Sequence, residues 1–588
     1  MLRTSFFSLV ALLIGISWLA PETASSQAEN RAERLNSNTV IQTERKAPGS
    51  VEQRYSPEQV GGETIMMPMR DGVRLSTTVY QPFLGGPWPV ILIRTPYNQE
   101  EISEFALPIL LAGFVLVTQD TRGRFASEGE DRVFQSDGWG ELQDGYDTVE
   151  WIAGQSWCDG NVGMWGYSAY GITALMAAAA APPSLKCMAV GYAPSQGWGQ
   201  TSYQGGAFRQ SLVNEWLVNN DSAHMLETFR EHPVNDAFWD AYDIESRVEF
   251  IQTPILHIGG FYDCFQLGTL NAFRLIQNRG NGQAPGNQQL IMGPWTHVNH
   301  YEREQGELTF PLNATLNEID ELVAWFSYWL KGDENGIMEN PPVTYYVMGD
   351  ASDDDAPGNE WKTAESWPPP AEQAQFFLHE QGALALEAPT ATGNSAFPLS
   401  GPDFVPTLGG MNLEIPAGPF DQAAIEARSD VLTFETAPLS EPMEVVGHVT
   451  AVVYASANLS NIDLSVRVSD VYPDGRSILL CDGIIRASFR ESQTNPTPIE
   501  PGEVYRYEID CWATSVVLNR GHRLRISITH SNTPRFEPNP EYANLGSVGH
   551  PEEAFIELHH SPGNASYVSV PVVSGLPEPV GVQSWALY

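Results

Sequence analysis

Residues 162–172 read VGMWGYSAYGI, an apolar run that breaks at Gly166-Tyr167-Ser168-Ala169-Tyr170-Gly171 and resumes as TALMAAAAA through Ala181. An apolar run of strand length followed by an Ala-rich run of helix length predicts a buried strand turning directly into a buried helix. A sharp turn of that kind needs small residues where backbone segments cross, here Gly166 and Gly171, and it lifts the residue at its tip to the edge of the sheet. That residue is Ser168. The helix beginning behind it offers unpaired N–H groups and the positive end of its dipole to a developing oxyanion. The spacing is Gly-x-Ser-x-x-Gly rather than the commoner Gly-x-Ser-x-Gly, so the weight of the reading rests on the strand before and the helix after.

Outward from this turn the same alternation continues. Between about 60 and 350, short apolar runs (VRLSTTVYQP, PVILIRTPY, GFVLVTQDTRG, CMAVGYAP, PILHIGGFYD, QQLIMGPWTH) alternate with helix-like runs such as GELQDGYDTVEWIAGQ. Apolar strands alternating with helices predict a mostly parallel sheet covered on both faces, an α/β domain over 56–196 and 250–350. The intervening 197–249 lacks a strand pattern and is too long for a structureless loop, which predicts a helical cap insertion. After the acidic and Pro-rich punctuation of MGDASDDDAPGNEW and SWPPP, short alternating runs separated by Gly, Pro and Asn predict an all-β sandwich of jelly-roll type over 351–588.

The chain has 588 residues, 31 Lys plus Arg against 72 Asp plus Glu, and a formal charge of −41. Such a surface repels nucleic acid phosphates and anionic membranes, so both are excluded as partners. Residues 1–28 carry one Arg, an apolar stretch and small residues at Ala24-Ser25-Ser26, the pattern of a cleaved secretory signal. A secreted or periplasmic protein follows, with 29–55 as a flexible mature N-terminus and no membrane attachment after cleavage. Of five cysteines, Cys158 precedes one predicted strand and Cys187 opens the next, which pairs them as a disulfide if the strands are parallel neighbours. Cys481 and Cys511, in two strand-like runs of the C-terminal region, form the second candidate pair, and Cys264 is left over. None has zinc-site spacing, so no metal and no organic cofactor is expected.

A serine hydroxyl needs a base to take its proton and an acid to hold that base in one tautomer. Two later strands end in Phe261-Tyr262-Asp263 and in Trp295-Thr296-His297, both on the edge where the Ser168 turn opens. His257 lies inside a strand-like run and reads as a packed core residue. His300 is second choice to His297, and Asp240 and Asp243 precede their strand rather than follow it. Trp165, Tyr167, Tyr170 and Trp295 are aromatic candidates for the wall of an acyl pocket. Arg122 and Arg124 read as structural partners of carboxylates such as Asp120 or Asp144.

GYSAYG, GGFYD and GPWTH, together with RDGVRL (70–75), RTPY (94–97), QDTRGR (119–124) and DGYDTVEWIAGQSWCDGNVGMWG (144–166), resemble the cocaine-esterase-like family, whose members include α-amino-acid ester hydrolases, glutaryl acylases and X-prolyl dipeptidyl peptidases. WPPP, LLCDGIIRAS, DCWATS and GHRLRISITHSNTPRFEPN resemble its C-terminal jelly roll, so the likeness runs from about residue 60 to the end. The resemblance implies an α/β-hydrolase domain, Ser168 as nucleophile, His297 as general base and then acid, and Asp263 as orienting acid. It also implies that Tyr97, the Tyr of RTPY, donates its phenolic O–H to the oxyanion beside the main-chain N–H of Ala169. The chain departs from the family pattern at Ala169, usually Tyr, and at Cys264-Phe265-Gln266, where α-amino-acid ester hydrolases carry an acidic pair that binds the substrate ammonium.

The expected function is a secreted serine hydrolase cleaving a carboxylic ester or amide, on a small molecule or a short peptide, through an acyl-enzyme. Homo-oligomerisation is compatible with this reading. An X-Pro dipeptidyl peptidase is the alternative and needs a pocket carboxylate for a free amine. A non-catalytic secreted polysaccharide-binding protein is a third reading.

Overall fold

Period-two alternation in strands buried on both sides sends neighbouring residues to opposite faces. In the computed structural model, which describes residues 30–41, 61–82, 84–399, 403–547, 551 and 553–577, this sorts the core. Val90, Leu92, Val115 and Val117 pack on one side with Val149, Ile152 and Leu175 of the helices Asp144–Ala153 and Ala169–Ala179. Ile91, Ile93 and Leu116 face the other side, in a core shared with Leu322, Trp325 and Phe326.

The strands are β1 (Gly62–Pro68), β2 (Arg74–Tyr80), β3 (Trp88–Thr95), β4 (Val115–Asp120), β5 (Cys158–Tyr167), β6 (Leu185–Gly191), β7 (Ile255–Gly260), β8 (Gln289–Gly293), β9 (Val343–Val347) and β10 (Glu360–Ala364). They form one ten-stranded sheet in the order β1-β2-β4-β3-β5-β6-β7-β8-β9-β10. From β4 to β9 all neighbours are parallel, while β1, β2 and β10 run antiparallel to their neighbours. The loops after β3, β5, β7 and β8 therefore leave the sheet at the same edge. The sheet takes in β10, beyond position 350 where the sequence reading ended the α/β domain.

Residues 197–249 are mostly helical, with Gln210–Asn219, Met225–Glu231 and short turns at Trp239–Tyr242 and Glu245–Phe250. Beyond β10 the chain forms two antiparallel sheets. One is built around the long strand Met443–Ala457, which pairs with Tyr505–Leu518, Tyr567–Ser574 and Phe555–Ser561. The other comprises Val431–Glu435, Arg523–Thr529, Asp463–Val471 and Ser477–Arg486. The two domains are joined by main-chain bonds: Met348 N–H donates to the Ser515 carbonyl at 2.9 Å, and Val517 N–H to the Met348 carbonyl at 2.8 Å. The fold is an α/β-hydrolase domain with a helical cap and a C-terminal all-β domain. Arg122 binds the Asp144 carboxylate through two nitrogens at 2.8 and 2.6 Å.

Three expectations need correction or placement. The segment 29–55, read as flexible, contains the helix Arg31–Ile41. Its Ala32 and Leu35 are buried, and Arg31, 1% exposed, donates to Glu321 at 3.1 Å and to Gln289 at 3.0 Å. A polar composition hid one apolar face and one charge with a buried partner. All five cysteines are buried free thiols. Cys158 pairs across from Trp88 at the start of β5, whereas Cys187 pairs with Gly163. Measured along β3, where Trp88 faces Cys158 and Ile91 faces Gly163, three positions separate the two levels, roughly 10 Å at a strand's rise, and a disulfide tolerates about 7 Å between Cα atoms. Cys511 turns its thiol back to the Ile509 carbonyl of its own strand, at 3.8 Å, and not to Cys481. The signal sequence expected at 1–28 lies outside the described residues. No helix among the described residues is long and apolar enough to cross a membrane.

Candidate active site

The β5-to-helix turn holds Ser168 at φ 56° and ψ −125°, a left-handed conformation that a residue with a Cβ adopts only when its surroundings impose it. The glycines explain how. A Cβ on Gly166 would lie 2.4 Å from the Tyr170 carbonyl carbon, and one on Gly171 would lie 2.9 Å from the Ala193 Cβ. Both crossings are too tight for any other residue, so the helix is drawn close and Ser168 is left at the tip. Ala169 opens the helix, where main-chain N–H groups lack a partner in the preceding turn.

Asp263 follows β7 and is fully buried. His297 follows β8, and its Nδ1–H donates to Asp263 Oδ1 at 2.6 Å. That bond fixes the tautomer and leaves Nε2 as the free base nitrogen. The His297 ring is packed edge-on by Phe265 at 5.6 Å and Tyr192 at 5.9 Å. Phe265 also lines the cavity that contains Ser168. Among the described residues Ser168 and His297 share no direct hydrogen bond; the Ser168 hydroxyl interacts with the phenol of Tyr97. Burial pushes that phenol well above its ordinary pKa, so it stays a neutral donor. Its oxygen accepts the Trp216 indole N–H at 2.7 Å, which leaves its own proton free to point at a reacting oxygen. Arg124 donates to the Pro96 carbonyl at 3.1 Å and steadies the loop carrying Tyr97.

Asp263, Cys264 and His297 offer possible metal-ligand atoms within 4.8 Å of one another. The 2.6 Å separation of Nδ1 and Oδ1 is that of a shared proton, since two ligands of one zinc at about 2.0 Å each sit farther apart. The Cys264 thiol is buried, and burial raises its pKa well above the ordinary thiol value.

A cavity of about 90 Å³ runs from Ser168 and Ala169 beneath the cap, with walls that include Phe134, Ile172, Trp216, Leu217, Trp239 and Leu413. The four aromatics expected in its wall are elsewhere. Trp165 packs against Phe105 at 5.1 Å, Tyr167 against Tyr192 at 5.6 Å, and Tyr170 against Tyr97 at 5.5 Å. Trp295 is wholly buried, with its N–H on the Ala314 carbonyl at 2.6 Å. Side chains inside a covered strand become core, so the wall has to come from the cap and from loops. Trp216 and Leu217 escaped the sequence reading, although Leu212, Val213, Trp216 and Leu217 mark an apolar helical face.

This fold and this arrangement define a serine hydrolase of the α/β type. The family profile described as X-Pro dipeptidyl-peptidase (S15 family) matches residues 71–224 and 210–299, and the X-Pro dipeptidyl-peptidase C-terminal non-catalytic domain matches 335–569. Cocaine esterase of Rhodococcus sp. (strain MB1 Bresler) is 32% identical over 589 residues, covering 87% of this chain and 98% of that protein. The chain belongs to the cocaine-esterase-like family of serine hydrolases. In fold it is similar to an aminopeptidase from a marine sediment archaeon, Thaumarchaeota archaeon, with a TM-score of 0.77 at 23% identity over 90% of this chain and 99% of that one. It is likewise similar to an α-amino acid ester hydrolase, with a TM-score of 0.74 at 23% identity over 87% and 96% of the two chains.

Proposed function

We propose that this chain is an exported serine esterase that transfers an apolar acyl group from its substrate to Ser168 and then to water. The observation that carries the reading is the lining of the cavity next to Ser168: aliphatic and aromatic side chains with Thr201 and Ser202, and no carboxylate among the described residues. Apolar walls of this kind bind acyl groups by burial and leave orientation to a few polar atoms at the reacting end.

In the chemistry, His297 Nε2 takes the Ser168 proton as Oγ attacks the carbonyl carbon. The oxyanion that forms accepts hydrogen bonds from the Tyr97 hydroxyl and the Ala169 N–H. Imidazolium, steadied by Asp263, gives the proton to the leaving alkoxide, which departs as an alcohol. Water then repeats the sequence on the acyl-enzyme, releasing the carboxylic acid and restoring Ser168.

Residues 1–28 support export. Recognition of a free amine, as an X-Pro exopeptidase or an α-amino ester hydrolase requires, finds no carboxylate in the cavity lining itself; the carboxylate near the site is Glu414, which follows the wall residue Leu413 and interacts electrostatically with Tyr97 and His297. A panel of p-nitrophenyl esters with branched aliphatic, aromatic and α-amino acyl groups tests the reading, with intact-mass detection of the acylated serine. Apolar and aromatic esters are expected to turn over and to acylate Ser168, and Ser168→Ala to abolish both. Turnover confined to free α-amines, or undiminished turnover by Ser168→Ala, would overturn it.

A further inference from the structure

The triad acid is short of partners. Asp263 is fully buried, its Oδ1 faces His297, and its Oδ2 has no hydrogen-bond partner among the described residues. A buried carboxyl oxygen without a partner is solvated poorly and needs compensation from nearby.

A buried cation of the cap lies nearby. Arg209, 1% exposed, precedes the helix Gln210–Asn219, and no carboxylate lies within ion-pair distance of it among the described residues. Its guanidinium instead holds main-chain carbonyls from three parts of the chain: Gln200 in the cap, Cys264 at 3.1 Å from both terminal nitrogens, and Met411 at 3.4 Å in the C-terminal region. Trp512 lies beneath it at 5.5 Å. The Cys264 carbonyl belongs to the residue directly after Asp263. The same loop is gripped from the other side by Gln266, whose amide bonds Ala513 in both directions at 2.8 Å.

Resting on the triad assignment above, we infer that Arg209 is a positioning residue for the catalytic acid. It fixes the Asp263 loop through the Cys264 carbonyl and places a buried positive charge near the Asp263 carboxyl group. The charged and titratable groups facing Arg209 are Asp263, Cys264, Arg535 and Asp482, and the last two pair with each other at 2.6 Å. Asp263 is thus the carboxylate of that set without a guanidinium of its own.

The test is Arg209→Met in the full-length protein, assayed on an activated ester across pH. A displaced triad acid costs roughly 10- to 100-fold in kcat while KM, set by the apolar cavity, stays within about twofold. Removing a positive charge favours the protonated form of its neighbours, so the acid limb of kcat/KM moves to higher pH. Arg209→Lys keeps the charge, so its acid limb stays where the wild-type limb lies, while kcat falls because one ammonium cannot span three carbonyls. A folded Arg209→Met with wild-type kcat and an unmoved limb overturns the proposal. Should Arg209→Met not fold, wild-type kcat in Arg209→Lys overturns it. Loss of turnover in Ser168→Ala beside full turnover in Arg209→Met sinks this inference and leaves the serine hydrolase reading standing.

Discussion

Trp216 of the cap donates its indole N–H to the hydroxyl of Tyr97, which follows β3, at 2.7 Å. The bond ties the insertion to the loop after β3 and leaves the Tyr97 hydroxyl its own proton to donate. Tyr97→Phe removes a donor aimed at developing charge, so kcat is expected to fall about 10²- to 10³-fold with KM little changed. Trp216→Phe keeps the ring packing and loses only the orienting bond, for which a fall of roughly tenfold is expected. Steady-state kinetics on one activated ester check both; wild-type kcat in Trp216→Phe would show that Tyr97 is aligned without the cap.

The architecture could be read because each layer has its own period. Parallel strands appear as unbroken apolar runs, the C-terminal sheets as alternation, and the loops after β3, β5, β7 and β8 had to share an edge once the strands were parallel. The positions of Ser168, Asp263 and His297 after β5, β7 and β8 were legible for that reason. What escaped depends on register and on which face a residue takes. Cys158 and Cys187 share neighbouring strands but not a level. Trp165 and Tyr167 look like pocket aromatics until covered strands turn them into core. Arg31 and Arg209 look like surface cations, because composition does not reveal that Glu321 and a set of carbonyls wait for them in the interior.

Arg31 gives a prediction about stability alone. It and Arg34 share Glu321, but Arg31 and Glu321 are buried whereas the Arg34 side chain is 47% exposed. Arg31→Met strips a buried carboxylate of its main partner, and breaking such a pair costs roughly 3 kcal/mol. Thermal unfolding should show a lower midpoint, with kcat/KM per folded molecule unchanged at 25 °C. An unaltered midpoint would mean that the N-terminal helix adds nothing to the fold.

His257, 1% exposed in β7, bonds Gln288 at 3.0 Å, and burial holds its pKa down at about 4. A neutral histidine in the folded chain and a titrating one in the unfolded chain give stability that is complete above the unfolded value, near 6.5, and that drains away as pH falls toward 4. Between pH 7 and pH 5 the loss is about 2 kcal/mol by this linkage. His257→Gln carries a donor for Gln288 and no titrating group, so its denaturant midpoint should fall less over that interval. Parallel losses in the two proteins would place the acid sensitivity elsewhere.

The backbone of Ser168 sets activity against stability. Its φ of 56° with ψ −125° costs on the order of 1–3 kcal/mol in any residue with a Cβ. Glycine adopts that conformation freely and gives back roughly 0.5–1 kcal/mol through the greater entropy of its unfolded chain. The net expectation for Ser168→Gly is a protein about 1 kcal/mol more stable than wild type, with no hydroxyl to acylate. Ser168→Ala keeps the strain and loses the same hydroxyl, so the two variants separate the backbone effect from loss of the side chain. A midpoint for Gly below that for Ala, by the entropic cost of roughly 0.5–1 kcal/mol alone, would mean that the turn stores no strain. A higher midpoint for Gly alone would show that the fold holds the nucleophile in place against its own conformational preference.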